Sequence, residues 1–243
     1  MTVRGNAPAI IGRMKGIPNG RGLRFPIRGE NLDVMGYMRG FDKFLLADDS
    51  LIETMARFRT LYRENFLSQF EATPENKRNW LIHSVLANDR KMLFLVETLE
   101  GKIMGQDGFT LDEDGRTFYL DASMRWERGS GNLFQRGGVE RSAMGFCLLG
   151  REKCVVEIFK SNAIVVDNSL RAGFTVEKEF HLRVERKDGI VSYLKEKDSG
   201  RVNTDAILLS LGLGKDRFAE MNRSIVENPC WSRENCGEEL VCD

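Results

Sequence analysis

The pattern of apolar and polar positions changes period several times along the chain, and each change marks an element. Across residues 49–70, apolar side chains recur at Leu51/Ile52, Met55, Phe58, Leu61/Tyr62, Phe66 and Phe70. This three-to-four spacing predicts one amphipathic helix. Thr73-Pro74 reads as the cap and first turn of a second helix, whose apolar side is Trp80, Leu81, Val85 and Leu86 and whose end lies near Asn88. The period then switches. Residues 91–99, 103–111 and 117–124 are dense or alternating apolar runs, divided by Glu100-Gly101 and Asp114-Gly115. They predict an antiparallel meander with tight turns.

Residues 125–138 break the pattern with Gly and Arg, and a helix is expected over 139–149. Residues 154–159 form another strand. A short helix over 164–171 stops at Gly173, a natural C-terminal cap. Residues 175–186 and 190–196 flank Asp188-Gly189, a hairpin signal. Residues 22–28 predict a first strand, residues 31–38 a short helix on Leu32, Met35 and Met38, and Asn203-Thr204 the cap of a last helix through Leu211. The order is that of a mixed α/β domain. We expect a basic mobile arm over 1–20, one domain over 21–198, and a C-terminal helix with an acidic tail over 199–243.

Composition narrows the function. The 243 residues carry 36 Lys+Arg and 36 Asp+Glu, a net charge of zero. That balance argues against a dedicated nucleic-acid binder. No apolar run approaches the ~18 residues of a membrane-spanning helix, and no membrane partner is expected. Five cysteines at irregular spacing fit free thiols in a reducing, cytoplasmic setting better than a disulfide framework. Cys230, Cys236 and Cys242 recur every six residues with no His nearby. Structural zinc ligands usually pair at two to four, so no metal is expected.

The candidate chemistry gathers after the third meander strand, where a Gly- and Arg-rich loop runs into a helix. Helix N-termini present unpaired N–H groups to anions, and glycines let the backbone close on them. Further on, the strand ending at Ser161-Asn162 leads through a short helix to Gly173-Phe174. The stretch VVEIFKSNAIVVDNSLRAGFTVEKEF (155–180) resembles the GNAT superfamily of acyl-CoA N-acyltransferases. It shares that family's strand, Asn, short helix and terminal Gly-Phe. The element order over about residues 22–196 is also similar.

The resemblance implies a mostly antiparallel sheet with a splayed parallel strand pair, flanked by helices. It implies acetyl-CoA as donor, with its pantetheine arm in the V of the pair beside Met124 and Arg125. The pyrophosphate would lie on the loop patterned Arg/Gln-x-x-Gly-x-Gly/Ala. Arg128 to Leu133 and Gln135 to Glu140 each match this in part. A loop spanning both would place Arg128, Gly131, Arg136, Gly137 and Gly138 nearest the phosphates. Asn162 and Asn168 would also meet the cofactor. Many family members carry a Tyr acid seven residues after the Asn, and Ser169 stands there. Asn162 and Ser169 therefore join the catalytic candidates without supplying that acid.

For the proton acceptor, Asp121 comes first, Glu157 second and Asp107 third. Strand alternation sets Tyr119, Asp121 and Ser123 on one face. The alternative for Asp121 is an ion pair with a neighbouring Arg. His83 and His181 are either site residues or partly buried structural ones. Phe66, Phe70 and Trp80 would stand near the acceptor. The expected activity is acetyl transfer to a primary amine of a small molecule, with nucleotide-linked amino sugars as one class. A protein or peptide amine, or a catalytically silent acyl-CoA-binding module, are the alternatives. A homodimer is one allowed assembly.

Overall fold

The computed structural model describes residues 7–16, 23–127, 129, 132–195 and 203–229. The elements in chain order are α1 (Ala7–Gly16), β1 (Arg24–Arg28), β2 (Val34–Gly40), α2 (Asp49–Leu61), β3 (Ser68–Gln69) and α3 (Pro74–Trp80). They continue with β4 (Lys91–Thr98), β5 (Ile103–Leu111), β6 (Thr117–Arg125), α4 (Leu133–Ala143), β7 (Lys153–Phe159) and α5 (Ala163–Arg171). The chain then forms β8 (Thr175–Lys187), β9 (Ile190–Lys195), β10 (Ile207–Gly214), α6 (Lys215–Met221) and α7 (Arg223–Glu227). Both α3 and α4 widen into π-helical turns, Leu81–Leu86 and Met144–Leu148.

Among the described residues ten strands stand in the order β1-β2-β4-β5-β6-β7-β10-β8-β9-β3. Every neighbouring pair is antiparallel except β6 and β7. Two large cores fill the faces, and Phe159, Leu182 and Leu208 form a smaller third cluster. On one, α1, α4, α6 and α7 cover Phe94, Phe109, Phe118, Cys154 and Leu211; on the other, α2 and α3 cover Leu93, Leu95, Met124 and Trp126. Strand β4 feeds both cores at once, so its run KMLFLVET is nearly continuously apolar.

The meander, the hairpin and the short helix ending at Gly173 (φ +90°) lie where the periodicity places them. Thr73 caps α3 through Oγ1, which accepts from Asn76 N–H at 3.1 Å. Four expectations do not hold. Residues 7–16 are no mobile arm: they form α1 and bury Ala7, Ile10, Ile11 and Met14. Residues 34–40 form a strand, not a helix. Their inward positions are Gly36, Met38 and Gly40, and the two glycines hide the alternation from a hydrophobicity reading. Gly36 is required there, because a Cβ would stand 2.3 Å from Glu97 O.

The long helix over 49–70 stops at Leu61, and Arg59 turns back to cover the chain beyond it, its guanidinium over the rings of Phe66 and Phe70. The last helix over 203–211 is instead β10, inserted between β7 and β8. Thr204 Oγ1 accepts from Ala206 N–H at 3.2 Å, which closes a turn rather than starting a helix. Residues 203–229 thus belong to the domain body, and β10 with α6 and α7 helps build its core. The rest of the proposed arm and tail, with Cys230, Cys236 and Cys242, lies outside the described residues.

Candidate active site

Strands β6 and β7 pair in parallel from Thr117/Lys153 to Leu120/Val156 and no further. Beyond Leu120, β6 stays hydrogen-bonded to β5 while β7 stays with β10, so a V opens between them. A bulge lies at the opening. Its residue Ala122 has φ +56°, and the β5–β6 register shifts opposite it between Gln106 and Gly108. A bulge adds one residue and reverses which face the following side chains take.

That reversal corrects the simple alternation. Asp121 faces α2 and α3, whereas Ser123 faces α4, where its hydroxyl donates to Asp107 Oδ1. Arg141 of α4 closes this network on Asp107, on Gly108 O at 2.9 Å and on Ser123 Oγ at 3.0 Å. Asp107 and Arg141 are both buried, and burial lowers the Arg141 guanidinium to about 10. Asp107 is therefore held beneath the bulge as the buried counter-ion of Arg141. Gln106 secures the other side by donating to Ala122 O at 2.9 Å. The sequence signal for this support was Gly105-Gln106-Asp107-Gly108, a polar pair between glycines in mid-strand.

Asp121 is ion-paired, but to Lys91 rather than an Arg. Lys91 Nζ and Thr110 Oγ1 each donate to its Oδ2 at 2.6 Å, and its Oδ1 is buried with no hydrogen-bond partner. Glu157, on the other arm of the V, accepts from Lys195 Nζ at 2.5 Å. Tyr119 lies in the closed root of the V. Burial first, and then carboxylates including Glu157, raise its phenol above the ordinary value. Asn162 donates through Nδ2 to Asn65 Oδ1 at 3.1 Å, so the end of β7 meets the turn after α2. The Ser169 hydroxyl donates to Val165 O at 2.9 Å within its own helix. Asn168 is exposed on the same helix. His83 and His181 are exposed, so neither is a partly buried structural histidine.

The Gly-rich segment resolves differently from the loop expected. Helix α4 already begins at Leu133, so Gly137 and Gly138 lie within its second turn. Their N–H groups are committed inside the helix and cannot cradle a phosphate. Gly137 faces β1, where a Cβ would make ordinary contact with Ile27 Cδ1 at 3.4 Å. Arg136 is spent as a clamp: its Nε donates to Arg28 O at 2.7 Å and its Nη2 to Gly29 O at 2.8 Å. Arg28 and Glu140 add a buried two-pronged ion pair at 2.7 and 2.9 Å. The free N–H groups of the helix start belong to residues just after Asn132. Arg128 and Gly131, which precede them, lie outside the described residues. Met124 is buried against α2 and α3, and exposed Arg125 donates to Glu127 O at 2.9 Å.

A Cβ at Gly138 would have no neighbour closer than Arg141 Nη2 at 3.9 Å. Gly138→Ala should thus raise stability by about 0.5–1 kcal/mol through helix propensity and leave CoA affinity unchanged. Urea melts and calorimetric titration with CoA check both. Weakened CoA binding would return Gly138 to the phosphate site.

An acyl-CoA fits two of the features just described: a β6 edge that, among the described residues, has no β7 partner beyond Leu120, and the N-terminus of α4 after Asn132. Among the described residues no cluster of metal-ligating side chains occurs, and no helix is long and apolar enough to cross a membrane. No family model matches the chain, and no curated protein does. Solved structures do. The nucleotide-linked sugar GNAT FdhC aligns with a TM-score of 0.58 at 14% identity, covering 83% of this chain and 97% of its own. A probable GNAT-family acetyltransferase from Chromobacterium violaceum gives 0.56 at 13%, covering 84% and 96%. A spermidine N-acetyltransferase from Vibrio cholerae, solved with CoA and spermine, gives 0.52 at 14%, covering 74% and 96%. With the splayed β6/β7 pair at its centre, the chain has the fold of the GNAT superfamily of acetyltransferases.

Proposed function

We propose that the protein transfers an acetyl group from acetyl-CoA to a primary amine of a small molecule. The observation that carries this reading is the V: it opens at a bulge held rigidly from beneath, with a carboxylate on each arm. The donor supplies the acetyl group as a thioester. The pantetheine arm would lie along the β6 edge near Met124 and Arg125, and the pyrophosphate before the start of α4, on Arg128 to Asn132.

Asp121 would receive the proton of the attacking amine, directly or through a water, on a carboxylate oriented by Lys91 and Thr110. As the new C–N bond forms the C–S bond breaks, and the electron pair leaves on the CoA sulfur. The Ser169 hydroxyl, already donating to Val165 O and with an alcohol's high pKa, is a poor acid for that thiolate. Glu157 and Asn162 would shape the opposite wall. The reading is tested by incubating the protein with acetyl-CoA and a panel of amines while following thiol release. Release that depends on one amine supports it. CoA binding with no release on any amine would favour the silent module.

A further inference from the structure

We propose that the protein has a second small-molecule site, at the root of the V, which binds a free α-amino acid with an aliphatic side chain. A cavity of about 340 Å³ lies there, between the β5–β6 turn and the segment that leads into β7. The paired stretch 117–120 separates it from the opening of the V. It shares no residue with the acetyl-transfer site described above.

Arg90, Asp112, Glu113 and Arg151 bring the charges to this cavity. Arg90 and Glu113 neutralise each other at 2.8 Å. Arg151 and Asp112 do not: among the described residues neither makes an ion pair, with the other or elsewhere. Arg151 is only 6% exposed. Its Nε is enclosed with no hydrogen-bond partner, whereas Nη1 and Nη2 keep accessible surface and are likewise without a partner. A Cβ at Gly115 would stand 3.7 Å from Nη1, so the guanidinium tip reaches the turn. Burial lowers the Arg151 guanidinium below its ordinary value; Asp114 opposes this and Arg90 adds to it. The Asp114 carboxylate is already taken by the N–H groups of Arg116 and Thr117 and by the Thr117 hydroxyl. Asp112 accepts the N–H of Glu113 on Oδ1 at 2.7 Å, and no hydrogen bond engages its Oδ2 among the described residues.

A buried cation without a partner is costly. One that shares a cavity with an unpaired carboxylate, yet stands too far from it to pair, is complemented by a ligand carrying both charges. The Nη1 and Nη2 edge offers the two parallel N–H donors that a carboxylate accepts in bidentate fashion. The open Oδ2 of Asp112 accepts from an ammonium. A phosphate of charge about −2 would face Asp112 and Glu113 with a single unpaired guanidinium to hold it, and a polycation would face Arg151. The rest of the wall is apolar, formed by Ala7, Pro8, Leu111 and Leu149, and receives the aliphatic side chain. The volume lies at the small end of the range for ligand sites, as suits a single amino acid.

The test titrates the full chain by calorimetry, without acetyl-CoA, with L-alanine, L-valine, L-leucine and L-methionine. Two halves of leucine, 4-methylpentanoate and 3-methylbutylamine, are titrated beside them. At least one of the amino acids should bind, and each half should bind about tenfold or more weakly than leucine. Arg151→Met keeps the buried stem and removes the guanidinium; it and Asp112→Asn should each weaken binding about tenfold or more. Asp121→Asn should leave binding unchanged. Asp112 is only half-buried, so its variant reports even where Arg151→Met fails to fold, which a thermal melt reveals. Binding of none of the four amino acids, a half that binds as tightly as leucine, or unchanged binding in either folded variant would overturn the proposal. Loss of binding in Asp121→Asn would also overturn it, by moving the amino acid to the acceptor position in the V. None of these readouts involves acetyl transfer, so failure here is distinguishable from failure of the enzymatic reading.

Discussion

Replacing Asp121 with Asn should lower kcat/KM for acetyl transfer by about a hundredfold or more, the usual worth of a positioned general base. The reason is geometric. One carboxylate oxygen is held by two donors at 2.6 Å and the other is buried with none. The carboxylate is thus fixed in orientation, beside the point where β6 leaves β7. Asn keeps the shape and can still accept from Thr110, so the affinity for CoA should stay the same. Glu157→Gln should cost much less, because its partner Lys195 approaches from the exposed hairpin β8–β9. Steady-state thiol release and CoA titration on both variants decide the matter. A large loss in Glu157→Gln with none in Asp121→Asn would move the base to the other arm.

The largest effect on stability should come from Phe118→Ala. Phe118 is fully buried and sits in a file of aromatic rings through the larger core. Neighbouring centroids along Phe25, Phe94, Phe109, Phe118, Phe146 and Phe218 are 6.0, 6.1, 6.3, 5.1 and 5.0 Å apart. Removing the ring loses its burial and leaves a cavity that rigid neighbours cannot close, at about 3–5 kcal/mol. Gly145 exists for this ring: a Cβ there would stand 2.5 Å from Phe118 Cζ. Gly145→Ala alone should therefore destabilise by overpacking, and by less when combined with Phe118→Leu. Urea midpoints at constant m would show both effects. Strict additivity of the two changes would mean that ring and glycine do not compete for the same space.

Local patterns made much of this molecule legible. The meander, the hairpin at Asp188-Gly189 and the helix between Asn162 and Gly173 are written in turn residues and short-range periodicity. So was the parallel pair, through the resemblance that the stretch from Val155 to Phe180 carries. What escaped was set by partners far away in sequence. Strand β2 needs glycines because β4 and α4 press on it, and β10 is a strand because β7 and β8 leave a slot. At the site, Asp121 could be picked out as a carboxylate on a compact strand. Its lysine partner could not, because Lys91 lies thirty residues earlier. The bulge at Ala122 turned Ser123 to the other face, and no alternation count anticipates an extra residue. The two glycines of α4 suggested a loop, since helix propensity disfavours them. Packing against Ile27 and the Arg28–Glu140 pair overrode that preference.

The place of β10 also sets a timetable for synthesis. Both strands that flank it precede it in the chain, and they can be made and even pair elsewhere before residue 207 leaves the ribosome. Until then β7 and β8 each present a bare edge able to recruit a strand from another chain. The nascent protein thus carries its greatest aggregation hazard late, when most of the domain has already been translated. Slow translation just upstream of residue 207 would lengthen that exposure, and a chaperone that shields the β7 edge would matter most at this stage.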